Sequence, residues 1–178
     1  MPLDSPTATE TLRIAPHPTL KGHSLIEAAQ WFPLPVDKVF SFFSDPFNLE
    51  EITPPWLHFH VLHERPLTIV QGLELNYRLR LHGLPLKWRS RISVWEPNQA
   101  FVDEQLIGPY RTWYHEHRFE PSQNGTLVLD RVTYAVPGGE RINRWFVQPD
   151  LVKIFSYRQT ALARILSEKA DSVSAPLR

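Results

Sequence analysis

Residues 101–119 read Phe101-Val102-Asp103-Glu104-Gln105-Leu106-Ile107-Gly108-Pro109-Tyr110-Arg111-Thr112-Trp113-Tyr114-His115-Glu116-His117-Arg118-Phe119. Two apolar-bounded runs flank a Gly108-Pro109 break, which predicts two strands joined by a turn. Side chains alternate along a strand, so Trp113, His115, His117 and Phe119 share one face. Thr112, Tyr114, Glu116 and Arg118 share the other, which suits water. Aromatic rings therefore bracket two imidazoles on the buried side, a pattern that predicts a lined cavity.

The same alternation extends in both directions. Leu73, Leu75, Tyr77, Leu79 and Leu81 alternate with polar residues, and beyond Gly83 so do Leu86, Trp88, Ser90, Ile92 and Val94. Asn124-Gly125 predicts a tight turn opening a strand over Thr126–Val136, whose one face carries Val128, Asp130, Val132, Tyr134 and Val136. One wet face and one dry face mean an antiparallel sheet. Earlier strands are predicted over His23–Phe32 and Leu57–Leu62. Between them, Pro35 opens a short helix with Val36, Val39, Phe40 and Phe43 at helical spacing. Ser44-Asp45-Pro46 opens a second, with Phe47, Leu49 and Ile52, which Thr53-Pro54-Pro55 ends. The last element is a long helix over Pro149–Lys169. Leu151, Ile154, Phe155, Leu162, Ile165 and Leu166 form its apolar face, with Lys153, Arg158, Arg164 and Glu168 elsewhere.

This order predicts an α+β domain: a strongly curved antiparallel sheet of about six to seven strands wrapped around a long C-terminal helix, with two short helices after the first strand. Residues 1–22, with Pro2, Pro6, Pro16 and Pro18, read as a flexible tail, 23–170 as a single domain, and 171–178 as a frayed end. The 178 residues carry 19 Lys plus Arg against 19 Asp plus Glu, so bulk attraction to nucleic acid is not expected. No cysteine is present, which excludes thiol nucleophiles, thiolate metal sites and disulfides and fits a reducing, cytoplasmic setting. No apolar run approaches the ~20 residues of a membrane span, so stable membrane insertion is not expected.

The order and several motifs resemble the helix-grip superfamily of START lipid-transfer domains, birch-pollen-allergen-like proteins and polyketide cyclase/dehydratases. The motifs are Pro35-Val36-Asp37-Lys38-Val39-Phe40, Asn48 through Leu57, Phe101 through Gln105, Gly108-Pro109-Tyr110, Trp113 through Phe119, and Asp130-Arg131-Val132-Thr133-Tyr134. More narrowly the chain is similar to a bacterial SRPBCC branch, some members of which are labelled "cell division inhibitor". The resemblance implies an apolar cavity between sheet and helix that receives a hydrophobic or amphipathic small molecule, lipid-like or polyketide-like. It also implies that Asp103 and Gln105 face inward, which alternation alone leaves open.

The ligand-contacting set expected on this basis is Tyr77, Trp88, Gln105, Trp113, His115, His117, Phe119 and Tyr134. An alternative is acid/base chemistry of the cyclase or dehydratase kind by His115 or His117 with Asp103 or Asp130. His115 and His117 stand ~6.6 Å apart along a strand and could converge with a carboxylate on a metal, yet the expectation is no metal and no cofactor. A third reading is an interaction module using Arg78, Arg80, Lys87, Arg89 and Arg91 on the outer face, against the plainer reading of a solvated, salt-bridged surface; the sequence does not identify a protein partner. Thr53-Pro54-Pro55-Trp56-Leu57, with Phe47, is either a gate at the cavity mouth or a rigid turn with Trp56 packed inward.

Overall fold

The computed structural model describes residues 11–174, with side-chain surroundings as far as Asp171. The chain runs β1 (Thr11–Pro16), β2 (Ser24–Phe32), α1 (Val36–Phe43), α2 (Asn48–Ile52), a 3-10 turn (Pro55–Leu57) and β3 (His60–Val61). There follow β4 (Glu74–Leu81), β5 (Leu84–Glu96), β6 (Ala100–Ile107), β7 (Thr112–Ser122), β8 (Gly125–Ala135), α3 (Gly139–Ile142), a π-helical turn (Asn143–Val147) and α4 (Gln148–Ser174). The strands form one antiparallel sheet in the order β1-β2-β8-β7-β6-β5-β4-β3. The α+β helix-grip architecture is therefore as expected, with eight strands rather than six or seven.

The extra strand is β1. Residues 1–10 lie outside the described residues, but from Thr11 onward the expected tail is ordered, pairing along β2 from Thr11 opposite Ala29 to Pro16 opposite Ser24. Leu12 and Ile14 pack against the buried cluster of Ile26, Val132, Tyr134 and Phe155. Two apolar residues among prolines and threonines make too short an alternation to register as a strand. At the other end, α4 runs through Asp171 to Ser174, past the expected fraying point.

Two further differences have local causes. A strand over Leu57–Leu62 shrinks to His60–Val61, because His58 sits at φ 43° after the 3-10 turn. In β5 the register shifts between Ile92 and Val94, a bulge that bends the strand. Trp95 rather than Val94 therefore joins the core, packing on Phe40 and Phe101.

The concave face of the sheet holds α4 through Leu151, Phe155, Leu162, Ile165 and Leu166, all buried. Two polar contacts fix the helix: Gln30 Nε2 donates to the Gln159 carbonyl at 2.9 Å, and Gln159 Nε2 donates to the Thr11 carbonyl at 3.0 Å. α1 and α2 close one end, with Phe40 and Phe43 set edge-on against Phe119. The tight turn falls one residue earlier than expected. Gln123 and Asn124 take the positive φ values (44° and 62°), while Gly125 begins β8. Glycine is needed there for a different reason: a Cβ would lie 2.3 Å from the Phe32 carbonyl oxygen.

Candidate functional site

Strand register assembles the site. Asp103 of β6 stands opposite His115 of β7, and His117 stands opposite Asp130 of β8. Asp130 Oδ1 lies 3.2 Å from His115 Nε2 and 2.5 Å from His117 Nδ1. The first contact is a hydrogen bond; the second is close but not aligned as one. The two imidazoles lie 3.8 Å apart between ring centres, and His117 stacks on Phe101 at 4.2 Å.

Between these strands and α4 lies a cavity of two lobes that meet at Tyr77, Asp103, His115 and Arg158. The wider lobe, about 170 Å³, is walled by Leu79, Leu86, Trp88, Trp113 and Phe155. The narrower, about 60 Å³, runs toward Phe43, Trp95, Phe101 and His117. A separate outer groove of about 650 Å³ opens between residues 17–23 and the α3–α4 region, but none of the His or Asp residues above lines it.

Arg158 is the site residue that the sequence reading missed. Residues 151, 155, 158 and 162 fall on one helical stripe, so the spacing that marks Leu151, Phe155 and Leu162 as inward includes Arg158. Its charge alone argued for the outer face. The guanidinium carbon lies 5.8 Å from the Phe43 ring centre, and Nε is buried with no hydrogen-bond partner. Asp103 Oδ1, Tyr77 Oη and Ser90 Oγ are likewise buried and unpartnered. Unsatisfied groups of this kind are uncommon in protein interiors.

Burial pushes the Asp103 carboxyl above its ordinary pKa, against the pull of His115, Ser90 and Arg158. Burial, then Asp103, raises the Tyr77 phenol well above its usual range. Burial and His115 bring His117 down to about 3, outweighing Asp130. For Asp130, burial acts upward, but the close His117 imidazole, the hydrogen bond with His115 and the charge of Arg158 together hold it well below the usual carboxylate range. Asp130 is thus an ionised anchor and His117 a neutral imidazole near pH 7.

Not every expected ligand contact faces the cavity. Tyr77, Trp88, Trp113 and His115 line the wider lobe, and His117 the narrower. Gln105 lines neither; it latches the β6–β7 loop, Nε2 donating to the Tyr110 carbonyl at 2.7 Å. Phe119 is packed among Phe40, Phe43 and Phe101. Tyr134 is fully buried behind Trp113 and Tyr110 and borders the outer groove instead. Alternation gives the face of a strand but not the depth along it, and these three sit beyond the cavity's reach. In the Thr53–Leu57 segment, Thr53 and Leu57 border the wider lobe. Trp56 is 53% exposed, edge-on to Tyr157, rather than packed inward.

His115, His117 and Asp130 offer ligand atoms within 4.8 Å of one another, close enough to hold a metal. Ligands ~2 Å from a tetrahedral zinc stand roughly 3.3 Å apart. The His115 contact at 3.2 Å matches that spacing and the His117 contact at 2.5 Å does not. On the outer face, Arg89 pairs with Glu74 and Arg91 with Glu104.

No curated protein matches this chain by sequence. Among solved structures, protein Ms6760 from Mycobacterium smegmatis superposes with TM-score 0.61 at 14% identity, covering 82% of this chain and 92% of that one. Ginseng major latex-like protein 151 from Panax ginseng gives TM-score 0.61 at 10% identity, covering 81% and 97%. CalU16 from Micromonospora echinospora gives 0.58 at 14%, covering 92% and 77%. At such identities the likeness is one of fold. The sequence itself matches the family described as polyketide cyclase / dehydrase and lipid transport over residues 32–162. With most of its length inside that match, and with the sheet, long helix and cavity described above, this chain belongs to the polyketide cyclase / dehydrase and lipid transport family.

Proposed function

We propose that this protein binds a small amphipathic molecule in the two-lobed cavity, its apolar body between Trp88, Trp113 and Phe155 and its polar end at Asp103, Tyr77, His115 and Arg158. One observation carries the reading: buried polar atoms without partners, on Tyr77, Asp103 and Arg158, gather where the lobes meet, with the unpartnered Ser90 Oγ behind them. In a finished core such atoms would be paired or replaced by apolar ones, since each unmet group costs about 1–3 kcal/mol. A ligand whose polar end carries oxygen acceptors for the Tyr77, Ser90 and Arg158 donors and a hydroxyl or other donor for the Asp103 carboxylate satisfies them. An apolar cavity of ~150 Å³ accommodates benzene, so the wider lobe at about 170 Å³ takes roughly one ring or a short chain.

The test is native mass spectrometry of gently purified protein, followed by identification of whatever denaturation releases. A stoichiometric small amphiphile, lost when Trp113 and His117 are both replaced by alanine in a variant that keeps its fold, supports the reading. A ligand-free protein that fails to take up any member of an amphiphile library argues against it.

A second reading, chemistry of the cyclase or dehydratase kind, is favoured by His115, which borders the wider lobe and is held by Asp130 at 3.2 Å. It requires turnover whose pH profile follows one imidazole and which His115→Gln removes.

A further inference from the structure

We infer that the end of the molecule bearing the π-helical turn docks onto an anionic lipid membrane surface. Trp145 and Phe146, in that turn, are 71% and 66% exposed, and Ile142 one turn earlier is 41% exposed. Large aromatics so open to water, side by side, are unusual on a protein that hides most of its other rings. The sheet topology brings more apolar side chains to the same end. The β4–β5 turn carries exposed Leu84, and the end of β6 carries exposed Ile107. The β1–β2 loop carries exposed Leu20, which shares the outer groove with Arg144. The contact between His82 and Asp150, 2.7 Å, ties the β4–β5 turn to the start of α4.

The charge at this end selects the partner. Lys21, Arg111, Arg141, Arg144 and Lys153 face Glu140 and Asp150 alone in these loops and first turns, and Asp150 is engaged by His82. On the outer face of the sheet Arg89 and Arg91 of β5 are instead paired with Glu74 and Glu104. Exposed Trp and Phe flanked by Arg and Lys match the interface of an anionic bilayer, where rings enter the headgroup layer and cations meet lipid phosphates. The docking is peripheral: among the described residues, no helix is long and apolar enough to cross a membrane. Pro109, Tyr110 and Leu151, which line the wider lobe, lie toward this same end, so the docked face is also the one nearest the cavity.

The experiment is cosedimentation of the whole protein with vesicles of phosphatidylcholine alone or enriched in phosphatidylglycerol. Binding is expected to the anionic vesicles only, weakening with added salt. Because each cation near such a surface is worth about 1 kcal/mol, or roughly fivefold in affinity, Arg141→Gln with Arg144→Gln is expected to weaken binding by at least tenfold. Trp145→Ala with Phe146→Ala is expected to do the same while leaving Tm and ligand uptake unchanged. No binding at low salt, or binding that neither double variant alters, overturns the proposal. So does a lipid-independent dimer that Trp145→Ala with Phe146→Ala abolishes, which would give the patch to a second copy. Neither arm requires an occupied cavity, so this proposal and the ligand proposal fail separately.

Discussion

Replacing Asp103 by asparagine keeps the side chain's shape and removes its charge. Asp103 Oδ1 is buried without a hydrogen-bond partner, and burial raises the carboxyl's pKa in spite of His115, Ser90 and Arg158. In the unfolded chain an aspartate titrates near ~3.9. Between that value and the higher folded one, the native protein binds more protons than the unfolded chain, so stability falls as pH rises. Above the folded pKa the penalty is constant. Asparagine carries no such penalty at any pH. The stability gap between variant and parent is therefore small near pH 3 and complete near neutrality.

An unmet buried group costs about 1–3 kcal/mol and more when charged; asparagine sheds the charge but keeps an amide that still needs partners, so the net gain is about 1–3 kcal/mol. In a domain of this size each kcal/mol moves Tm by about 2–4 °C, so Asp103→Asn is expected to raise Tm by roughly 2–10 °C near pH 7. The assay is calorimetry on ligand-stripped protein across the acid-to-neutral range at fixed ionic strength. A Tm that is unchanged or lower at pH 7 refutes the reasoning. So does a gain of equal size at both ends of the range, which would mean that charge is not its cause.

Three other outcomes are expected. His117 has a folded pKa of about 3, below its unfolded value, so the stability it contributes is present above ~6.5 and lost as pH falls toward 3. His117→Phe, stacking in its place on Phe101, is expected to flatten the fall in urea midpoint across that window. Gly125→Ala drives a Cβ to 2.3 Å from the Phe32 carbonyl oxygen and 2.5 Å from the Trp31 ring, and is expected to cost about 1–3 kcal/mol by thermal melting. Arg158→Met keeps the length of the side chain and deletes its donors and charge; it is expected to lower ligand retention in native mass spectrometry in a variant that circular dichroism shows to be folded.

The fold was legible because period-two alternation runs unbroken through the long middle strands, and because Leu151, Phe155, Leu162 and Leu166 repeat at helical spacing. Signals failed where they were short or broken. Leu12 and Ile14 make a strand only because β2 is there to receive them. The β5 bulge turns Trp95 inward, where strict alternation points Val94. The hairpin 101–119 read correctly as to face, bringing His115 and His117 beside Asp130. Depth was another matter. Gln105, Phe119 and Tyr134 lie on the inward face yet outside the cavity, and Arg158 lies inside it although a charge on a long helix reads as solvent-facing.

Apart from the hydrogen-bonded His115–Asp130 pair in the cavity wall, two sets stand out among the buried polar groups of the described residues, one of scaffold and one of site. Gln30, Gln159 and Thr126 are buried and paired: the glutamines clamp α4 to β1 and β2, and Thr126 Oγ1 donates to the Leu34 carbonyl at 2.8 Å. Their hydrogen bonds hold elements in register, and nothing further is needed to explain them. Tyr77, Asp103 and Arg158 line the cavity, and Tyr77 Oη, Asp103 Oδ1 and Arg158 Nε are buried there unpaired, with Ser90 behind them. Ser93, at the β5 bulge, and Tyr134 with Asn143, beside the outer groove, are the unpaired groups away from the cavity, each where the backbone is irregular or the surface close. A carboxyl and a guanidinium that share a cavity without closing on each other leave room between them for a third group. That gap, more than the aromatic walls around it, supports the proposal that the cavity binds a ligand: a packing defect lined by leucines would lower stability, but it would not hold two opposite charges apart.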